Sequence, residues 1–285
     1  MLGKDHLKIT FVFSVPFIVY LLLCILFYEF PIYIAAVFPV CIIIGSLTPD
    51  ADCGGKSELY YKHQGVYLLM KPIHWFILLL TQKLVKKYPN QFDPVKEEHR
   101  GMLHSLIGVF LSSFLLSISF SIFALILLYF SEIFPLSNVF YIFIFGFIGL
   151  LFGQILHLAE DSCTKSGIKW FLPFSKKLIK GNISTKSEKG SERIDRRPRY
   201  FAQFLGTTGT VSSCLIILIW TFEPEYFLYS LGIALFIQCS AFIHLYLISK
   251  EKLEGSKWHQ TLKEIKAEEK EKAKRRQKEM DNFFK

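Results

Sequence analysis

The chain has 285 residues, of which 52% are hydrophobic, 16% aromatic and 20% charged, a composition that excludes disordered and collagen-like chains. A net charge of +9 would suit nucleic acid in a soluble protein, but a mean hydropathy of +0.35 argues against a soluble domain. Three tracts, Ile9 to Gly55, Gly101 to Thr164 and Tyr200 to Ser249, contain no Lys or Arg and are dominated by Leu, Ile, Phe and Val.

Since about 20 apolar residues cross a bilayer as a helix, each tract holds a pair of membrane spans. The first pair is predicted near 10–28 and 31–48, joined through Tyr28-Glu29-Phe30-Pro31. Lys4 and Lys8 precede it as they would a secretory signal, but no small-residue cleavage site follows, so the segment is expected to be retained. The stretch 66–80 carries Lys71, Pro72 and His74 and reads as an interfacial helix. Spans near 103–130 and 139–159 follow, with Trp170, Pro173 and Phe174 as an interfacial anchor behind them. Residues 175–205 read as a mobile basic loop, 206–249 as two further spans turning at Glu223-Pro224-Glu225, and 250–285 as a charged, solvated tail.

The predicted fold class is therefore an all-α integral membrane protein with about six transmembrane helices in three hairpins. All 33 Lys and Arg fall on one side of these spans. The positive-inside rule makes that side the cytoplasm, with both termini there, in a multi-pass protein of the cell membrane. The positive charge is then explained by orientation and by anionic headgroups, so membrane lipids are the expected partners and direct nucleic-acid binding is not expected; protein partners stay unspecified. The six cysteines contain no Cys-x-x-Cys pair and four of them fall inside spans, so no disulfide framework is expected.

Ionisable groups are costly in a span, and here they gather at the cytoplasmic ends. His6 precedes the first span, Asp50 and Asp52 follow Pro49 after the second, His99, Arg100 and His104 lead into the third, and His157 and Asp161 close the fourth. His157 and Asp161 are four residues apart on a helix, so their side chains share a face. Asp50 and Asp52, two apart in an extended segment, also project together. His99 and His104 are too far apart around a helix to share a face, which puts His99 in the preceding loop. Singly, Asp50 reads as a cap and His157 as an interfacial histidine; their coincidence on one face makes a candidate metal site of His6, Asp50, Asp52, His99, His104, His157 and Asp161. Glu160 is expected to point away as a capping or snorkelling charge, Cys53 and Cys163 to be neutral thiols, and His63, His74, His244 and His259 to be structural or solvated.

At these residues the chain resembles the LexA-binding, inner-membrane-associated metal-dependent hydrolase family. That family shows an early histidine, then Leu-Pro-Asp-x-Asp-His, His-Arg-Gly-x-Thr-His-Ser, and Ser-His-x-x-x-Asp followed by Thr-x-x-Gly. This chain has His6, then Thr48-Pro49-Asp50-Ala51-Asp52-Cys53, His99-Arg100-Gly101-Met102-Leu103-His104-Ser105, and Leu156-His157-Leu158-Ala159-Glu160-Asp161 followed by Thr164-Lys165-Ser166-Gly167. The order and spacing agree over residues 1–174, which delimits a membrane domain bearing the motifs. Cys53 stands where the family has histidine, and Leu103 where it has threonine. The resemblance implies a membrane-embedded hydrolase with metal ligands at the matching His and Asp positions.

The function expected is hydrolysis of a phosphoester, lipid-linked or other, at the cytoplasmic face. A divalent ion, zinc or manganese, would activate water, Asp52 would take the proton and Arg100 would hold an anionic, phosphate-bearing substrate. A non-catalytic membrane scaffold is the alternative. A metal transporter ranks behind both, because the ligands lie at one face rather than at the midplane. The absence of His-Glu-x-x-His, and of Ser-Arg ahead of His157, argues against zinc proteases and the known lipid-phosphatase signature.

Overall fold

The computed structural model describes residues 3–56, 64–87, 100–131, 136–175, 177–184, 193–252, 259–261 and 270–271. Seven helices dominate these: α1 (Gly3–Tyr28), α2 (Ile32–Gly45), α3 (Gln64–Lys87), α4 (Leu106–Ser131), α5 (Ser137–Ser162), α6 (Arg197–Phe222) and α7 (Phe227–Ser249). Two 3-10 segments, Thr48–Lys56 and Met102–His104, follow α2 and precede α4. Among the described residues, five helices are long and apolar enough to cross a membrane: Asp5–Tyr28, Leu106–Leu127, Asn138–Ser162, Arg197–Phe222 and Pro224–Ser249.

The segment expected as the second span differs. α2 has 14 residues, about 21 Å at 1.5 Å per residue, short of the roughly 30 Å hydrocarbon core. It stops at Gly45, and the chain tightens through Ser46 and Leu47 into the 48–56 segment, so residues that apolarity alone assigned to the span form the turn that carries Asp50 and Asp52. The stretch 66–80, expected as an interfacial helix, lies within α3, which is longer than predicted. Its inner face buries Met70, Ile73 and Ile77 against both 3-10 segments while Leu68, Trp75 and Phe76 stay exposed.

Close packing of α2 on α5 fixes the site. Side chains made only of hydrocarbon gain little by leaving lipid, so small residues that let backbones approach are what hold such helices together. A methyl group on Gly149 would lie 2.6 Å from the Phe38 carbonyl oxygen, and one on Gly153 would overlap the Ile42 carbonyl. α5 separates two cores: Cys41, Met70, Leu103, Leu116 and Leu150 on one side, and Ile9, Phe13, Phe17, Leu156, Phe201 and Leu245 on the other.

The segment read as a mobile loop has fixed partners where it is described. Thr164 bridges to Ile183 and Ile168 to Ile179, and β1 (Arg193–Asp195) pairs antiparallel with β2 (His259–Thr261) from the expected solvated tail. α6 starts at Arg197, nine residues before the predicted span. The reason is a buried knot: the Arg197 guanidinium pairs with Asp195 at 2.5 Å and donates to the carbonyls of Asn182 at 2.7 Å and Glu251 at 2.8 Å. A charge that sequence reading places in solvent is thereby satisfied inside the protein.

Replacing Gly153 by Leu should force α2 from α5 at a cost of about 1–3 kcal/mol, the usual range for overpacking. A thermal scan in detergent should show earlier unfolding, whereas the same change at Gly232, whose surroundings are open, should leave the transition in place.

Candidate metal centre

Four chain-distant segments meet at one end of the bundle: the start of α1, the turn after α2, the 102–104 turn and the end of α5. Each brings imidazole or carboxylate, and nearly all are buried: His6, His104, His157, Glu160 and Asp161 are each at most 1% exposed.

Every described histidine of the cluster has its Nδ1 committed. His157 Nδ1 donates to the Ser46 carbonyl at 2.7 Å, His104 Nδ1 to Asp52 at 3.0 Å, and His6 Nδ1 to Glu160 at 2.7 Å. A carbonyl only accepts, so His157 carries its proton on Nδ1 and presents the Nε2 lone pair to the interior. Outer partners of this type orient metal-binding imidazoles.

The Nε2 atoms of His104 and His157 face each other at 3.3 Å. Asp50 Oδ1 lies 3.8 and 3.6 Å from these two nitrogens, and Asp161 Oδ2 lies 3.6 and 3.8 Å from them. Two triangles thus share the His104–His157 edge. Ligands 2.0–2.1 Å from a tetrahedral ion stand roughly 3.3–3.4 Å apart, so the donor atoms fit a cation with small adjustment. Among the described residues, two overlapping sets have ligand atoms close enough to hold an ion: Asp50, His104 and His157; and His6, His157 and Asp161. A nitrogen and oxygen donor set suits zinc, manganese or iron.

The remaining expected residues have defined places. Asp52 Oδ2 accepts from His104 Nδ1 and, at 3.1 Å, from the Gly101 amide, which sets it behind a ligand. Arg100, in the left-handed region at φ 71°, donates from Nη2 to Asp161 Oδ1 at 2.7 Å. Its Nη1 reaches Thr164 Oγ1 at 2.9 Å, the Gly167 carbonyl at 3.0 Å and Ser166 Oγ. Arg100 therefore fastens Asp161 to the 164–167 turn. His99 and the Cys53 side chain lie outside the described residues. Cys163 is a buried thiol pushed up to about 12 by burial, as a neutral thiol requires.

Two participants escaped sequence reasoning. Glu160, expected to point outward, is fully buried, holds His6 and accepts from Thr10 at 3.4 Å. Ser46 acts through its backbone carbonyl, which leaves no residue signature. Trp170, expected as a membrane anchor, donates to Ser162 Oγ at 2.6 Å and ties the end of α5.

Burial lowers the pKa of His104, but the Asp52 carboxylate, by charge and hydrogen bond and with Asp161 and Asp50 behind it, outweighs burial and leaves it raised above the ordinary 6.5.

The model of the YdjM inner membrane protein family matches residues 14–222, and the chain belongs to that family; it is a multi-pass membrane protein. The matched range holds Asp50, Asp52, Arg100, His104, His157 and Asp161, with His6 ahead of it. No curated protein and no solved structure matches.

A cation must displace the proton from His104, so metal retention should be complete at high pH and fall as pH drops through the raised pKa. Asp52→Asn removes the charge that raises it, so the proton competes less, but loss of this outer partner should weaken affinity about 10–100-fold, and at about pH 9, where the proton no longer competes, only the weakening remains. Metal content after dialysis between pH 5 and 9 reads both effects.

Proposed function

We propose that this protein is a membrane-embedded, metal-dependent hydrolase acting on a phosphoester at the cytoplasmic face. The observation that carries the reading is the pair of Nε2 atoms 3.3 Å apart, each with its Nδ1 anchored, between two carboxylates. Asp50, His104, His157 and Asp161 would hold the ion, which supplies an activated water and polarises the scissile group.

The chain's own residues do the rest. Ser46 and Asp52 keep two imidazoles in the ligating tautomer, and Arg100 keeps Asp161 in place. Asp52, 3% exposed, can take a proton only through His104 or from a group that reaches its second oxygen, so its role is orientation first. Substrate approaches from the Asp50 and Arg100 edge, since these side chains are 15% and 13% exposed and the other ligands are closed. Lys165 and Ser166, exposed on the turn that Arg100 grips, add positive charge and a hydroxyl to that edge, which favours an anionic group. With the basic segments in the cytoplasm, the site faces lipid headgroups, so phospholipids and polyprenyl phosphates head the substrate classes to test.

Protein reconstituted in nanodiscs should carry tightly bound transition metal and hydrolyse at least one phosphoester. Chelation should abolish activity, zinc or manganese should restore it, and His157→Ala should lose metal and activity together. Hydrolysis unchanged in that variant rejects the assignment. Metal without hydrolysis of phospholipid, polyprenyl phosphate or nucleotide favours the scaffold reading. Reporters after Lys180 and at Lys285 should read cytoplasm and a tag at Glu223 outside; the opposite labelling overturns the proposed side.

A further inference from the structure

We infer that His6 is a positioning residue for the His157 ligand and does not itself bind the ion that His157 holds, an inference that rests on the metal-centre reading above. An imidazole binds a cation through a lone pair in its ring plane, so an ion lies near the plane of every ring that holds it. His104 and His157 meet this condition, with rings inclined at 61° and Nε2 atoms converging at 3.3 Å.

His6 does not. Its ring stacks on His157 with centroids 4.0 Å apart and planes inclined by 19°. Planes so arranged meet roughly 12 Å from the ring centres (4.0 Å divided by tan 19°), whereas a ligated ion lies only about 2.0–2.1 Å beyond the nitrogen. One ion cannot lie in both planes.

A separate ion between His6 Nε2 and Asp161 Oδ1, 3.5 Å apart, is opposed by the Arg100 guanidinium, which donates to that same oxygen at 2.7 Å. What His6 does instead follows from its partners. Glu160 fixes it at 2.7 Å, Thr10 fixes Glu160, and the imidazole covers one face of the His157 ring. Between that stack and the Ser46 carbonyl on its edge, His157 cannot turn its Nε2 away from His104.

The test loads full-length protein in nanodiscs with cobalt and compares wild type, His6→Phe, the double variant His6→Phe with Glu160→Gln, and His157→Ala. The double variant spares the fold a buried carboxylate without its imidazole. Both His6 variants keep a stacked ring, and they should retain wild-type cobalt stoichiometry and an unchanged visible spectrum, with affinity falling less than about tenfold, at the mild end for an outer partner. His157→Ala should lose more than a hundredfold. A folded His6 variant with altered coordination in its cobalt spectrum, or with half the stoichiometry or less, overturns the inference, as does a wild type that binds no metal. Cobalt binding as described, with no hydrolysis of any phosphoester, leaves the inference standing and rejects the hydrolase reading alone, because the spectrum needs no turnover.

Discussion

Ionisable groups buried at the end of a membrane bundle must satisfy one another, since burial without a partner is costly, roughly 2.5–3.5 kcal/mol for a charge at a span centre. Much of the local structure answers that constraint. Glu160 is tolerable because His6 and Thr10 meet it, Asp161 because Arg100 does, and Asp52 because His104 and the Gly101 amide do. The same pairings engage the Nδ1 of His6, His104 and His157 and turn the Nε2 of His104 and His157 toward each other. A network built to neutralise buried charge is therefore also one that orients ligands, and these two roles cannot be varied independently.

The sequence showed the parts of this arrangement that depend on helix ends and spacing. His157 and Asp161 share a face because they are four apart, and Asp50 and His104 were legible because polar residues there interrupt apolar runs. Glu160 was misread: its place on α5 relative to His157 says nothing of α1, and its partner His6 is 154 residues away. Ser46 contributes a carbonyl, which every residue has. The membrane character of the fold was legible from apolarity, yet hydropathy cannot separate a span from the shorter α2 and the turn that completes it, because Leu47 and Ala51 are as buried as residues inside a helix. Arg197 fails in the opposite sense. A lysine- and arginine-rich stretch reads as solvated; Asp195 is a local partner two residues from Arg197, but only tertiary structure brings the carbonyls of Asn182, Ser249 and Glu251 around its guanidinium.

The glycine contact between α2 and α5 links packing to chemistry. Asp50 follows α2 and His157 ends α5, so the separation of the two helices sets the reach between two of the donor atoms, now 3.6 Å. Arg100 plays the matching part on the other side. Its left-handed backbone turns the chain from the 100–101 bend into the His104 turn while its side chain grips Asp161, so one residue coordinates the arrival of α4 with the end of α5.

The surroundings of the site also bear on what it can do. Toward the bilayer interior, Phe13, Phe17 and Phe152 pack ring against ring, with centroids 5.4 to 6.3 Å apart, along the helices that carry His6 and His157. Toward the other side stand Asp50 and Arg100, whose side chains are partly exposed. A cation held here has aromatic packing behind it and an anion-compatible opening in front. The proposed hydrolysis would need a substrate and water from one side only, and the partly exposed Asp50 and Arg100 mark where they would enter.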